Sequence, residues 1–299
     1  MALNVLLLLT VTSIWGFGFI ATRWSLSGLD PYWVNALRFS LAGLASLPFL
    51  FYKKSFTRKD NILKKSFISS IFLLGILLFQ TIGLGLTTVA KSGFITTLYT
   101  FFIPIITIVL FKKKYRPTFW LLIFMAMSGM ALMCNLEIKD LNLGDFFTFI
   151  CSICAAFHII YIGMVVNTID SPIEFNFLQN FFVALLSIPI ALFFKGMVNI
   201  DAVMASPDVL LGIFYLGIIS SMISFTAQII AQKKIPDHIA GLIFLTESPF
   251  AAFFGYMIFK EKLTEMNLYG AGLIILAVCL VPILGREVTA SVKTHGHSH

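Results

Sequence analysis

Charge is what this sequence has little of. Of its 299 residues only 12% are Asp, Glu, Lys or Arg, while 59% are hydrophobic and the mean hydropathy is +0.94. Such a chain has too few polar side chains to cover a soluble globule, which leaves a multi-spanning helical membrane protein. Cysteine is scarce as well. Cys134, Cys151, Cys154 and Cys279 all fall inside apolar segments, so the Cys-x-x-Cys at 151 and 154 reads as small packing residues rather than redox or zinc chemistry. There is no phosphate-binding glycine loop, no metal-spaced His/Asp/Glu cluster and no nucleophile set beside a base. Direct ATP drive and a membrane-embedded enzyme therefore have nothing to stand on. The apolar run from 3 to 26 lacks a basic leader and a small-x-small cleavage site, so it is expected to stay as a span.

What is present is a series of apolar runs. At about 20 residues per crossing, ten are expected: 3–26, 31–52, 66–88, 91–111, 118–135, 144–166, 172–194, 208–231, 238–259 and 266–284. The fold class is thus all-α, a ten-helix membrane protein whose short connections leave no room for a soluble domain. The excess of basic residues, +7 net, sits in those connections, which suits membrane topology better than nucleic acid. Lys53, Lys54, Arg58, Lys59, Lys64 and Lys65 follow the second run, and Lys112, Lys113, Lys114 and Arg116 follow the fourth. Positive charge marks the cytoplasmic side, which puts both termini in the cytoplasm; Lys260 and Lys262 run against that bias. The chain ends in His295, His297 and His299, readable as a weak metal-binding tract or as a frayed tail with no fixed geometry.

The chain also contains itself twice. Gln80–Gly93 aligns without gaps on Gln228–Gly241 at an offset of 148, and that offset carries Phe111-Lys112-Lys113-Lys114 onto Phe259-Lys260-Glu261-Lys262. Earlier in each copy, Pro31/Pro172 and Pro48/Pro189 share an offset of 141. The expected boundaries are 1–139 and 140–285, followed by a tail at 286–299. Two copies of five crossings each must insert upside down relative to one another, the architecture with which carriers alternate access about a central site.

Polar groups at mid-span are costly unless they face a cavity or a partner, so depth is the best pointer to a site. Glu247, Trp15, Gln80, Tyr99 and His158 all lie near the middle of their runs. Glu247 is expected to bind protons or a cationic group; its other reading is a hydrogen-bonded carboxyl pinning the kink at Pro249. Arg38 could hold a carboxylate through its fork, or snorkel or pair with an acid. His158 could relay protons or serve as a neutral packing residue. Gln179, Asn176 and Asn180, with Ser220, Ser221 and Ser224, would suit a polar solute, and equally well join helices. Paired glycines at 16 and 18, 83 and 85, and 270 and 272, with Gly129, read as close helix contacts.

These residues carry a resemblance. Ser13-Ile14-Trp15-Gly16-Phe17-Gly18-Phe19, Ala36-Leu37-Arg38-Phe39, Lys91-Ser92-Gly93-Phe94, Leu245-Thr246-Glu247-Ser248-Pro249 with Gly255, and Lys260-Glu261-Lys262-Leu263 stand in an order similar to the EamA-type branch of the drug/metabolite transporter superfamily. The resemblance implies ten helices, a cavity between helices 1–4 and 6–9, and helices 5 and 10 as a supporting pair. It also implies export of small metabolites, amino acids among them, from the cytoplasm. The expected substrate-binding set is Trp15, Arg38, Gln80, Tyr99, His158, Gln179 and Glu247, with no cofactor beyond possible proton coupling. The expected partners are a small-molecule substrate and the bilayer of the inner membrane, with no nucleic acid, the chain acting as a monomer or homodimer. The alternative solute is an organic cation held by Glu247 and aromatic rings. The sequence departs from the family pattern at Ser248, which splits the usual Glu-Pro, and at Lys113, where an acid would end the first copy's helix.

Overall fold

The computed structural model describes residues 2–52, 61–87, 89–134, 141–204, 206–260 and 262–284. The basic loop residues Lys53, Lys54, Arg58 and Lys59, Glu261, the boundary at 139/140 and the histidine tail lie outside them. Among the described residues the protein is helical throughout, with no strands.

Helices occupy each of the apolar runs. The first stretch comprises α1 (Ala2–Leu26), α2 (Pro31–Tyr52), α3 (Ile62–Leu86), α4 (Val89–Thr97), α5 (Tyr99–Phe111) and α6 (Pro117–Met133). The second comprises α7 (Leu143–Val165), α8 (Pro172–Lys195), the short α9 (Ile200–Met204), α10 (Pro207–Phe214), α11 (Phe225–Gln232), α12 (Asp237–Phe244), α13 (Glu247–Phe259) and α14 (Glu265–Leu284). Among the described residues, seven helices are long and apolar enough to cross a membrane, with α4–α5, α10–α11 and α12–α13 each counted as one. α6 and α14 are apolar but shorter, and α2, which carries Arg38, is not among the seven.

Three of these rods are irregular, each for a local reason. α4 gives way to α5 at Leu98, and α12 to α13 at Leu245 and Thr246, where three-residue turns replace the helical ladder. Pro249 offers no N–H to the carbonyl of Leu245, which accepts instead from the Ser248 amide at 3.3 Å. Between α10 and α11, Tyr215–Ser224 winds in wider turns than an α-helix. Wide turns leave carbonyls in need of donors. Asn176 of α8 supplies them, its Nδ2 donating to Ser221 O at 3.1 Å and Met222 O at 2.9 Å.

Side-chain contacts sort the helix ends into two groups. Asn142 and Asp145 cap α7 reciprocally, and Asp145 takes Thr87 Oγ1 at 2.5 Å and Lys91 Nζ at 3.8 Å, so α7 begins where α3 ends. Trp33 Nε1 donates to Gly196 O at 3.0 Å, joining the start of α2 to the end of α8 in the same layer. Trp33 is therefore buried against backbone. At the opposite end Lys65 Nζ reaches Thr168 O at 3.1 Å and Lys113 Nζ reaches Asp237 at 3.2 Å. We refer to these as the Trp33 end and the Lys113 end.

Packing exchanges the two stretches. α7 lies against α3, α4 and α5, while α1 lies against α10, α11, α12 and α13; α2 pairs with α8, and α6 with α14. Several of these approaches require glycine. A Cβ on Gly16 would meet Phe250 Cβ at 2.7 Å, and one on Gly129 would meet Gly270 O at 2.6 Å. Gly85 and Gly272 face open space, contrary to the reading of them as contact glycines; each lies two residues from a glycine that does face a neighbour.

Candidate functional site

The exchanged packing leaves a cavity at the centre of the bundle. Its volume is about 90 Å³, well above the roughly 10–15 Å³ needed to admit one water and on the scale of one small organic solute. Its wall comes from both stretches. Trp15, Gly18, Phe19 and Thr22 come from α1, Arg38 from α2, Gln80 and Thr81 from α3, and Thr96 and Tyr99 from either side of the α4–α5 break. Opposite them stand Ala155, His158 and Ile159 of α7, Ser220, Phe225 and Gln228 around the wide turns, and Phe244 and Glu247 from either side of the α12–α13 break. Thr22 and Leu84 carry the cavity toward the Trp33 end.

Six of the seven residues expected from sequence meet here. Gln179 is the exception. It sits behind the wall at 0% exposure, its Oε1 accepting from Ser69 Oγ at 2.5 Å and lying 3.1 Å from His158 Nε2. Its Nε2 donates to Asn176 Oδ1 at 3.3 Å. With the amide oriented this way His158 donates through Nε2, which fixes the ring that faces the cavity. Gln179 thus holds His158 in place. The difference from expectation is one of helix face: Gln179 points toward α3 and α7, where a polar side chain can only be satisfied by its neighbours.

Arg38 is 4% exposed and neither snorkels nor pairs with an acid among the described residues. Its Nε donates to Ser221 Oγ at 3.1 Å and an Nη to Ser220 Oγ at 3.2 Å. Two hydroxyls engage the guanidinium without neutralising it, so the rest of the fork keeps its positive charge at the cavity wall. Glu247 opens α13, close to α1: a Cβ on Gly16 would lie 3.0 Å from its carbonyl oxygen, and Thr12 Oγ1 and Thr246 Oγ1 are 2.8 Å apart. No hydrogen bond or ion pair engages the Glu247 carboxyl among the described residues.

Hydrogen-bonding capacity in the wall is unspent. Trp15 Nε1, Thr96 Oγ1 and Gln228 Oε1 are buried without a partner among the described residues. Buried polar atoms are seldom left unpaired, and several in one wall mark a place that water or a ligand fills. Thr96 and Gln228 were not singled out as pocket residues from sequence. Gln228 carried a signal of its own, an amide deep in an apolar run; Thr96 carried none, since a threonine that deep more often bonds its own backbone.

Comparison with known proteins follows the same lines. Residues 2–135 and 142–282 match the EamA-like transporter family. The chain belongs to that family. A relative from Archaeoglobus fulgidus, described as an uncharacterized transporter, is 30% identical over 275 residues, covering 91% of this chain and 83% of its own. A solved crystal structure of another protein shares the fold, with a TM-score of 0.77 at 17% identity, covering 96% of this chain and 99% of that one. As an EamA-like transporter the protein is a multi-pass membrane protein.

Proposed function

We propose that this EamA-like transporter is a secondary carrier that exports a small zwitterionic metabolite, such as an amino acid or a relative of one, by alternating access. One observation carries the reading: Arg38 and Glu247, opposite in formal charge, face one cavity of small-solute size. Arg38 would take the carboxylate and Glu247 the ammonium group, with Trp15, Gln80, Tyr99 and His158 shaping the space between. Glu247 and His158 are the groups through which protons would couple to transport.

We take the scaffold to be two inverted five-helix repeats, and details of the backbone support this. α5 and α13 begin at Tyr99 and Glu247, and end at Lys112 and Lys260, whose φ angles of 53° and 55° are left-handed. The Lys112 amide bonds Thr107 O, and that of Lys260 bonds Gly255 O. Each pair is 148 residues apart. Asn35 Nδ2 donates to Leu77 O and Thr81 Oγ1, as Asn176 Nδ2 does to Met222 O and Thr226 Oγ1. This second match aligns α3 with α11 at an offset of 145, so Gln80 and Gln228 are not mates. The register changes in the connection before α12, Lys233–Pro236, which is longer than the one before α4.

The Lys113 end gathers Lys64, Lys65, Lys112, Lys114, Arg116, Lys233 and Lys234 beside Lys113. By the positive-inside bias we assign it to the cytoplasm, with both termini there and the chain in the inner (plasma) membrane. The cavity then faces outward. Since one chain encloses it, we take the monomer as the transporting unit.

A thermal-shift screen of purified protein against amino acids, amines and phosphorylated metabolites at two pH values tests the reading. Protection by an amino acid that is lost in both Glu247→Gln and Arg38→Gln is the expected result; no protection by any zwitterion refutes it. A second reading, an organic cation, rests on the rings of Trp15, Tyr99, Phe225 and Phe244 beside Glu247. It predicts protection by quaternary amines that survives Arg38→Gln.

A further inference from the structure

A second pocket lies at the Lys113 end, lined among others by Lys113, Asn167, Gln232, Lys233, Lys234 and Asp237, with a volume of about 390 Å³. It is separate from the central cavity, yet a chain of side chains connects the two. Gln228 lines the central cavity and Gln232 lines the second pocket. They stand one turn apart on α11, and Gln228 Nε2 donates to Gln232 Oε1 at 2.8 Å. Gln232 Nε2 in turn donates to Ile159 O at 3.1 Å, on a residue that also lines the central cavity. Among the described residues Gln228 Oε1 is left without a partner, at 1% exposure. Amides placed through otherwise apolar packing offer stepping points to a polar solute; an apolar side chain would fill that space at lower desolvation cost.

The same end is tied across the chain. Lys113 follows α5 and Asp237 opens α12, and their side chains lie 3.2 Å apart with Asp237 only 6% exposed. His238 Nδ1 lies 3.2 Å from Asp237 Oδ1, and its ring packs edge-on against Tyr115 and Phe119. Tyr115 completes the clasp through a 2.7 Å bond to Thr107 Oγ1. Burial pushes the Tyr115 phenol up to about 12, so it remains a neutral donor. α5 and α12 are the elements whose separation would open this end.

We propose that the Gln228–Gln232 pair is the gate between the central cavity and an inner vestibule, and that the Lys113–Asp237 ion pair latches it shut. The vestibule's lysines make it the place where a carboxylate-bearing solute first docks before passing the glutamines. The proposal rests on the carrier reading for its solute and on geometry alone for its gate.

Solute-free labelling tests it. In a background with Cys134, Cys151, Cys154 and Cys279 changed to alanine, an Ala155→Cys reporter in the central cavity is exposed to a membrane-impermeant thiol reagent from each side. Labelling from the Lys113 end is expected to be slow. Asp237→Asn and Lys113→Asp should each speed it about fivefold, the scale of a half-exposed ion pair, with no matching rise from the Trp33 end. The exchange Lys113→Asp/Asp237→Lys should return the slow rate, and Gln228→Leu added to Asp237→Asn should abolish the gain. Unchanged rates in Asp237→Asn, or an equal rise from both sides, would overturn the latch. A gain that persists with Gln228→Leu would overturn the glutamine gate. Because no solute enters the assay, these outcomes are independent of the zwitterion screen.

Discussion

The α4–α5 rod breaks at Leu98 and brings Tyr99 to the cavity; the α12–α13 rod breaks at Leu245 and Thr246 and brings Glu247 to the same cavity. Both second pieces are 13 residues long and end in a left-handed lysine. The two breaks also touch, Thr100 Oγ1 donating to Gly241 O at 3.1 Å. Shared backbone with unlike side chains separates two demands on the sequence. Interrupting a helix at mid-membrane exposes backbone groups that only a polar cavity or a neighbour can satisfy, so the interruption must recur wherever such a wall is needed. The group displayed there is free to differ, and one site needs only one carboxylate.

The largest effects should come from abolishing that difference. Glu247→Gln is expected to lower transport of a zwitterion in proteoliposomes by about ten- to a hundredfold, the scale of losing a buried charge partner, whereas Tyr99→Phe should cost several-fold less. Equal losses would mean that the breaks, not the carboxylate, carry recognition. Next comes the support of each break. Gly16→Ala should lower thermal stability in detergent by about 1–3 kcal/mol, because Phe250 and the backbone of Ala251 must move. Gly85→Ala, in open space, should stay within about 0.5 kcal/mol.

The asparagine braces sharpen the comparison further. Asn176→Ala should destabilise by about 1–2 kcal/mol and Asn35→Ala by about half that, since the two carbonyls Asn176 serves lie in the wide turns while those Asn35 serves, Pro31 O and Leu77 O, belong to regular helices. The reverse order would show that the α-helical partner, not the wide segment, depends on its brace. Smallest of all, Lys112→Gly and Lys260→Gly should each stabilise by at most about 1 kcal/mol, because glycine takes the left-handed conformation without strain. A gain at only one of them would show that the two ends are not held alike.

Much of the cavity wall is legible in the sequence. Glu247, Trp15, Tyr99, Gln80, His158 and Arg38 could be found because a polar or amphipathic side chain at mid-membrane is expensive and its depth can be counted along the chain. Gln179 passes the same count and is hidden behind His158, since depth says nothing about which way a helix is turned. Thr96 faces the cavity without having carried a signal, because a threonine in an apolar run more often bonds its own backbone. On the proposed repeat, the asparagine braces favour an offset of 145 over the 148 that pairs Gln80 with Gln228, because a repeated hydrogen-bond pattern guides register better than the identity of single residues.

The sequence by itself determined the solvent this protein folds in, the positions of its apolar helices and the family it belongs to. Those follow from composition, hydrophobic run length and ordered motifs, all local along the chain. Only the tertiary structure decided that α1 and α7 exchange places between the two stretches, that Arg38 meets Ser220 and Ser221 rather than an acid, and that Gln228 and Gln232 join two cavities. Those depend on the rotation of each helix about its axis, which is fixed by contacts between residues far apart in the chain.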